Sequence, residues 1–417
     1  MPQHYAAGSP ALQFDLAAPA GWAYAPGDTI IGNLVRKVPI VTPNATIKLS
    51  FIGRVKVKIT VRRGNNNRSV YRDNWQLVDF NEMVIFQGPL HLAEGSNESL
   101  SWPVSVNIPY EPMEYCRRNH SQKCSFIPLD IDHPLHHILP GSFYSETTRW
   151  GSNPSSSEIV EYYLQARLEY NFGGNKTSHE AIRPITLRHP VTQTSGIPKM
   201  IKQPRLVSTH RLQSGMEDTD LSFKQNVQKF FSSSKVPAFH FDLLFTVPSS
   251  LQLDDPTPMP LQLEIMPNLE RTSDSIKDVA QTIRIMNIEA SLRVKTHCLS
   301  AGNFTDSVHD NEYDTKLGFN LQSIIAALDQ PLVITTGKGN APLNLGNLFQ
   351  LTLHKAGFKA GNQTLPLDAW RGTVIGPSFT TYNIQHTHTL EWKLYVDIAG
   401  EKEKYKIWAP VEIIAPA

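Results

Sequence analysis

Six side chains that bind transition metals crowd one stretch of the chain: Cys116, His120, Cys124, His133, His136 and His137. Four thiolate or imidazole ligands satisfy tetrahedral zinc. The spacing argues otherwise, because no Cys-x-x-Cys pair occurs, His136 and His137 are adjacent, and the stretch is a proline-containing connection. His386 and His388 share one face of an alternating run but lack a third ligand. No metal is expected at either place. The glycine-flanked serine elbow, the phosphate-binding glycine loop, the His-Glu-x-x-His zinc motif and the dinucleotide glycine pattern are all absent. Asp254–Asp255 and the pair Asp130 and Asp132 offer carboxylates of the kind glycosidases use, but both precede prolines and read as turns. No catalytic residue and no cofactor are expected, so the chain reads as a non-enzyme.

A third pattern is a row of cations. From Ile47 to Val61 every second residue is apolar except Gly53, and the intervening positions after the glycine are Arg54, Lys56, Lys58, Thr60 and Arg62, followed by Arg63. A period of two places these sets on opposite faces of a strand, with same-face neighbours roughly 7 Å apart. Arg54, Lys56, Lys58, Arg62 and Arg63 are the candidate partner-binding residues, a comb for an acidic peptide, a phosphorylated tail or an anionic headgroup. The competing reading is the water-facing side of an antiparallel sheet.

The elements that would carry these residues are strands. Thirty prolines and 24 glycines punctuate short alternating runs in 417 residues, the pattern of sandwiches and barrels. Val160, Tyr162, Leu164, Ala166 and Leu168 share one face of a run; Leu390, Trp392, Leu394, Val396 and Ile398 share one face of another. Tyr24-Ala-Pro-Gly-Asp28 is a turn into a strand at Thr29–Arg36, and Gly53 suggests a bulge. Only Ser273–Thr282 and Asn320–Leu328 suit short helices. The expected fold is all-β, two tandem antiparallel β-sandwiches of immunoglobulin-like topology: residues 1–191, a polar linker at 192–238, and residues 239–417. Within that linker, Leu221–Lys235 mixes lysines with phenylalanines and is expected to pack on a sandwich.

With 39 basic and 38 acidic residues the formal charge is +1, which argues against a chain built to coat nucleic acid. Three cysteines do not suit a disulfide scaffold. No run approaches the roughly 20 apolar residues of a spanning helix, and the opening lacks a charged then apolar leader, so a secretory signal is not expected. On that expectation the Asn-x-Ser/Thr triplets are silent.

Phe14-Asp-Leu, Tyr24-Ala-Pro-Gly-Asp-Thr-Ile-Ile-Gly32 and Ile47-Lys-Leu-Ser-Phe-Ile-Gly53 together resemble the opening of an arrestin N-domain. Leu139-Pro-Gly-Ser-Phe143 and Val160–Leu168 look like later N-domain strands; Ser378–Ile384 and His388–Leu394 resemble the closing strands of arrestin-like proteins common in fungi. The resemblance implies an adaptor or scaffold that binds cytosolic segments of membrane proteins, or their regulators, in trafficking or signalling. It further implies a cytoplasmic protein with at most peripheral contact at the plasma membrane or endosomes. Two departures stand out. The Pro-Pro-x-Tyr motif that docks ubiquitin ligases is missing, which leaves such a ligase to a second adaptor, and residues 11–22 hold no Lys or Arg. The alternatives are a constitutive sorting-coat scaffold of the same fold and a carbohydrate-binding sandwich.

Overall fold

The computed structural model describes residues 8–63, 67–78, 82–118, 120–130, 137–147, 155–190, 196–216, 219–225, 235–302, 307–336, 341–364 and 375–416. Nearly all regular structure is strand, as alternation predicts; the helices are single turns such as Glu114–Arg118, Gln322–Ala326 and Leu345–Phe349. Gln322–Ala326 lies inside the run expected to be helical, and Asp274–Ile276 forms one 3₁₀ turn in the other. Ser273 precedes that turn without a side-chain capping bond, and its Oγ accepts a hydrogen bond from the Ala238 amide.

The chain forms two compact units. The first comprises residues 1–191 together with 296–313 and 379–386; the second comprises 192–295, 314–378 and 387–417. This division differs from the expected one in two ways. The supposed linker holds a ten-residue strand, Lys199–Ser208, paired antiparallel with Ala238–Val247. It went unread because neither face is consistently apolar: Met200 and Leu206 are exposed beside Lys202 and Pro204, and Gln203 and Arg205 alternate with Ile201 and Val207 on the other face. Pro204 is tolerable on an edge strand with only one neighbour. Of the stretch Leu221–Lys235, residues 226–234 lie outside the described residues. The second difference is that 296–313 and 379–386 belong to the first unit, because Cys298, Tyr382 and Ile384 are buried in its core.

In the first unit a three-stranded sheet (Gln13–Leu16, Thr29–Arg36, Leu100–Asn107) faces a seven-stranded one. The latter is centred on the long strand Ile40–Arg63, which pairs antiparallel with Ser155–Phe172 along most of its length and with Asn67–Val78 at its far end. Ile30 and Leu34 from one sheet and Ile47, Val55 and Ile59 from the other share one core, so the alternation seen at Ile47–Val61 is the buried face of a two-layer sandwich. Two glycines fix local geometry. Gly27 takes φ 90°, closing the turn in which Asp28 N donates to Ala25 O at 3.1 Å. Gly53 marks a register shift, and a Cβ there would stand 2.6 Å from the Tyr162 ring.

The second unit is built alike. Lys199–Ser208, Ala238–Val247, Gln262–Pro267 and Leu343–Asn344 form a four-stranded sheet; Thr282–Ala301, Val308–Asn320, Ile384–Ile398 and Glu401–Ile414 anchor a seven-stranded one. Phe241, Phe245, Leu292, Trp392 and Leu394 pack between them.

Candidate functional site

The cation row occupies the polar face of the first unit's seven-stranded sheet, and pairing divides it in two. Arg54 stands beside Glu161 of the neighbouring strand. Its Nε donates to Glu161 Oε1 at 2.6 Å, and Lys56 Nζ reaches the same oxygen at 2.8 Å. That carboxylate is only 5% exposed, and the Arg54 guanidinium lies 5.2 Å from the centre of the Tyr163 ring. Burial lowers the Lys56 pKa, and the Glu161 hydrogen bond and charge restore part of it. Below the pair, Ile52, Tyr163 and Ile182 make a small apolar cluster on this otherwise polar face. Arg54 and Lys56 are therefore half-sunk and committed to one acid.

Lys58 and Arg62 sit differently. Both are exposed, and their cross-strand partners are also cations: Lys58 stands opposite Arg72, and Arg62 opposite Arg68. Like charges directly opposite each other destabilise a strand pair. On the other flank Ser157 separates Lys58 from Glu146, whose carboxylate accepts from Tyr144. The side chain of Arg63 lies outside the described residues. Arg68 and Arg72, which the sequence reading did not include, thus join Lys58 and Arg62 in a four-cation patch on the hairpin. Their alternation in Arg68-Ser-Val-Tyr-Arg72 was visible, but only the register places them beside the row.

The candidate metal cluster disperses. Cys116 and Cys124 are buried in the first unit's core, and burial raises the Cys124 pKa. The His120 ring stacks on Trp75 at 3.7 Å, and His137 Nδ1 lies 3.2 Å from Tyr382 Oη. His133 and His136 lie outside the described residues, as does Asp132. His386 Nδ1 meets Thr296 Oγ1 at 2.9 Å and His388 Nδ1 meets Ser378 Oγ at 2.8 Å, two separate structural bonds. Among the described residues no three His, Cys, Asp or Glu side chains gather as metal ligands. Asp254 receives His354, and Asp255 accepts from the Thr257 amide, as turn residues do.

A buried polar network escaped the sequence reading. Glu158 is fully buried in the first unit; Tyr313 Oη donates to its Oε2 at 3.0 Å, and Asn311 Nδ2 donates to Ser156 Oγ at 2.6 Å. Burial raises the Glu158 pKa, with hydrogen bonds from Ser156, Cys298 and Tyr313 opposing it. The signal was available: Glu158 lies in phase with Val160 and Tyr162, a carboxyl on the oily face of its strand.

In the second unit a cleft of about 230 Å³ is lined by Glu289, Ser291, Lys316, Asn320, Glu391 and Lys393. Its charges pair internally, Lys316 with Glu391 at 2.6 Å and Lys393 with Glu289 at 2.9 Å. No helix among the described residues is long and apolar enough to cross a membrane. Comparison with known proteins finds no matching family model and no matching curated protein.

Proposed function

We propose that the chain is a non-enzymatic adaptor or scaffold whose first unit docks an acidic or phosphorylated protein segment on the Lys58, Arg62, Arg68 and Arg72 face. In keeping with the arrestin-like resemblance, that segment belongs to the cytosolic part of a membrane protein or to its regulator. The supporting observation is the pair of opposed like charges on one hairpin, Lys58 with Arg72 and Arg62 with Arg68. A guest anion would relieve their repulsion, and arginine presents a planar fork suited to carboxylate or phosphate. Arg54 and Lys56, held by Glu161, serve the sheet rather than the guest.

Fluorescence anisotropy with a labelled acidic peptide, and with its phosphorylated form, tests the reading on the full chain. K58E/R72E should weaken binding at least about tenfold, the equivalent of about 1.4 kcal/mol, and added salt should do the same to the unmodified protein. Unchanged affinity in both K58E/R72E and R62E/R68E would rule out docking at this face.

A further inference from the structure

The last strand of the second unit, Glu401–Ile414, alternates cleanly from Lys404 to Val411. Tyr405, Ile407, Ala409 and Val411 are buried, while Lys402, Lys404, Lys406, Trp408 and Pro410 are exposed. Side chains two residues apart share a face at a spacing of roughly 7 Å. Three ammonium groups and an indole therefore stand in one line, and Trp408 is 53% exposed. Glu401 and Glu403 fall on the alternate positions, and Glu412 shares the row's face beyond Pro410.

The paired charges of this sheet end at the neighbouring strand, Ile384–Ile398. Across that pairing Lys402 stands opposite Asp397, Lys404 opposite Tyr395, Lys406 opposite Lys393 and Trp408 opposite Glu391. The acids there have other work: Asp397 accepts from the Gly400 amide, Glu391 holds Lys316, and Glu289 holds Lys393 and the Tyr395 hydroxyl. Lys404 Nζ lies 4.8 Å from the centre of the Tyr395 ring. Among the described residues, none of Lys402, Lys404 and Lys406 makes an ion pair.

We propose that this row docks the second unit on an anionic phospholipid surface, with Lys402, Lys404 and Lys406 meeting headgroups and Trp408 entering the interface beside them. Three features favour a lipid surface over a peptide. The cations are all lysine, whose compact ammonium answers diffuse charge, whereas the arginine fork suits one defined carboxylate or phosphate. Tryptophan settles at the boundary of water and acyl chain, its ring on the apolar side and its N–H on the wet one, and long lysine stems reach the headgroups around it. The strand's main-chain edge is occupied: Gln203 Nε2 donates to Lys406 O at 3.1 Å, which obstructs an extended peptide from pairing there. Near such a surface each lysine contributes about fivefold in affinity.

Co-sedimentation of the full chain with vesicles of equal parts phosphatidylserine and phosphatidylcholine tests the assignment, with pure phosphatidylcholine as control. The chain should bind the anionic vesicles, ignore the neutral ones and be released by high salt. K402Q/K404Q/K406Q should weaken partitioning about 100-fold. W408A should weaken it too and remove a blue shift of tryptophan emission on binding. All four positions are exposed, so both variants should keep the native urea midpoint. K58E/R72E separates this row from the first unit's face: the lysine variant must lose more vesicle binding than K58E/R72E does. The proposal is overturned by absence of binding to anionic vesicles, by equal binding to neutral ones, by the reverse order of those two variants, or by either the lysine or the Trp408 variant behaving as the native chain. Loss of the labelled acidic peptide in the lysine variant, with no vesicle binding by the native chain, would make the row a protein-docking surface and overturn it equally.

Discussion

The two seven-stranded sheets carry charge on their polar faces in contrasting ways. In the second unit acids and bases alternate and pair: Glu289 with Lys393 and Tyr395, Glu391 with Lys316, and Arg293 with Asp314. In the first unit the face is graded. Lys48, Glu82 and Arg167 pair at one end, Arg54 and Lys56 converge on Glu161 in the middle, and on the hairpin Lys58 and Arg62 stand opposite Arg72 and Arg68, with Glu146 two strands away from Lys58 across Ser157. A paired sheet face is finished as a surface, whereas an unbalanced one stores repulsion that a guest anion can relieve. The contrast separates cations paired with acids from cations that stand opposite other cations, and the proposed docking face rests on the second set.

The largest effect should come from the middle of the graded face. Glu161 is nearly buried and holds two part-buried cations. Glu161→Gln leaves both without their counter-charge and should cost about 3 kcal/mol in urea unfolding. Binding of the acidic peptide should change little. A loss below about 0.5 kcal/mol would mean that Arg54 and Lys56 are solvated, and the division of the row into two halves would collapse.

The same substitution in the second unit should cost less. Glu391→Gln removes the partner of Lys316, which is itself 42% exposed and can turn to water. About 1 kcal/mol is expected by the same measurement. If the loss matches that of Glu161→Gln, the two faces are equally dependent on their acids and the contrast weakens.

Much of this was legible beforehand, and the illegible part has a physical cause. Alternation at Ile47–Val61, Val160–Leu168 and Leu390–Ile398 follows from one dry and one wet face, so it marks strands and their buried sides without any neighbour being known. Register is different, because it depends on chains far apart in sequence. Arg54 and Glu161 are 107 residues apart, and both were visible as outward-facing charges, yet nothing local says that they meet. The same ignorance hid Arg68 and Arg72. The division between units was obscured because Cys298 and Ile384 read as ordinary apolar positions of strands whose longer parts lie in the second unit, and Tyr382 lies in the bend just before one of them. Glu158 was readable and missed: an acid in phase with an oily row must either break the row or be hydrogen-bonded inside it, and it is hydrogen-bonded.

The smallest expected effect is the most discriminating, because its two readouts move in opposite directions. Arg72→Glu turns the Lys58–Arg72 opposition into an opposite-charge pair at the same register. If repulsion is stored there, the variant should be more stable by about 0.5 kcal/mol, since cross-strand charge pairs contribute on that scale. The same change removes a fork from the docking face and should weaken the acidic peptide. A surface kept only for solubility has no reason to trade stability for affinity. Gain in stability with loss of binding therefore marks a face held out of balance for a partner. Loss of both would show that Arg72 is needed by its own sheet, and the four-cation patch would then belong with Arg54 and Lys56.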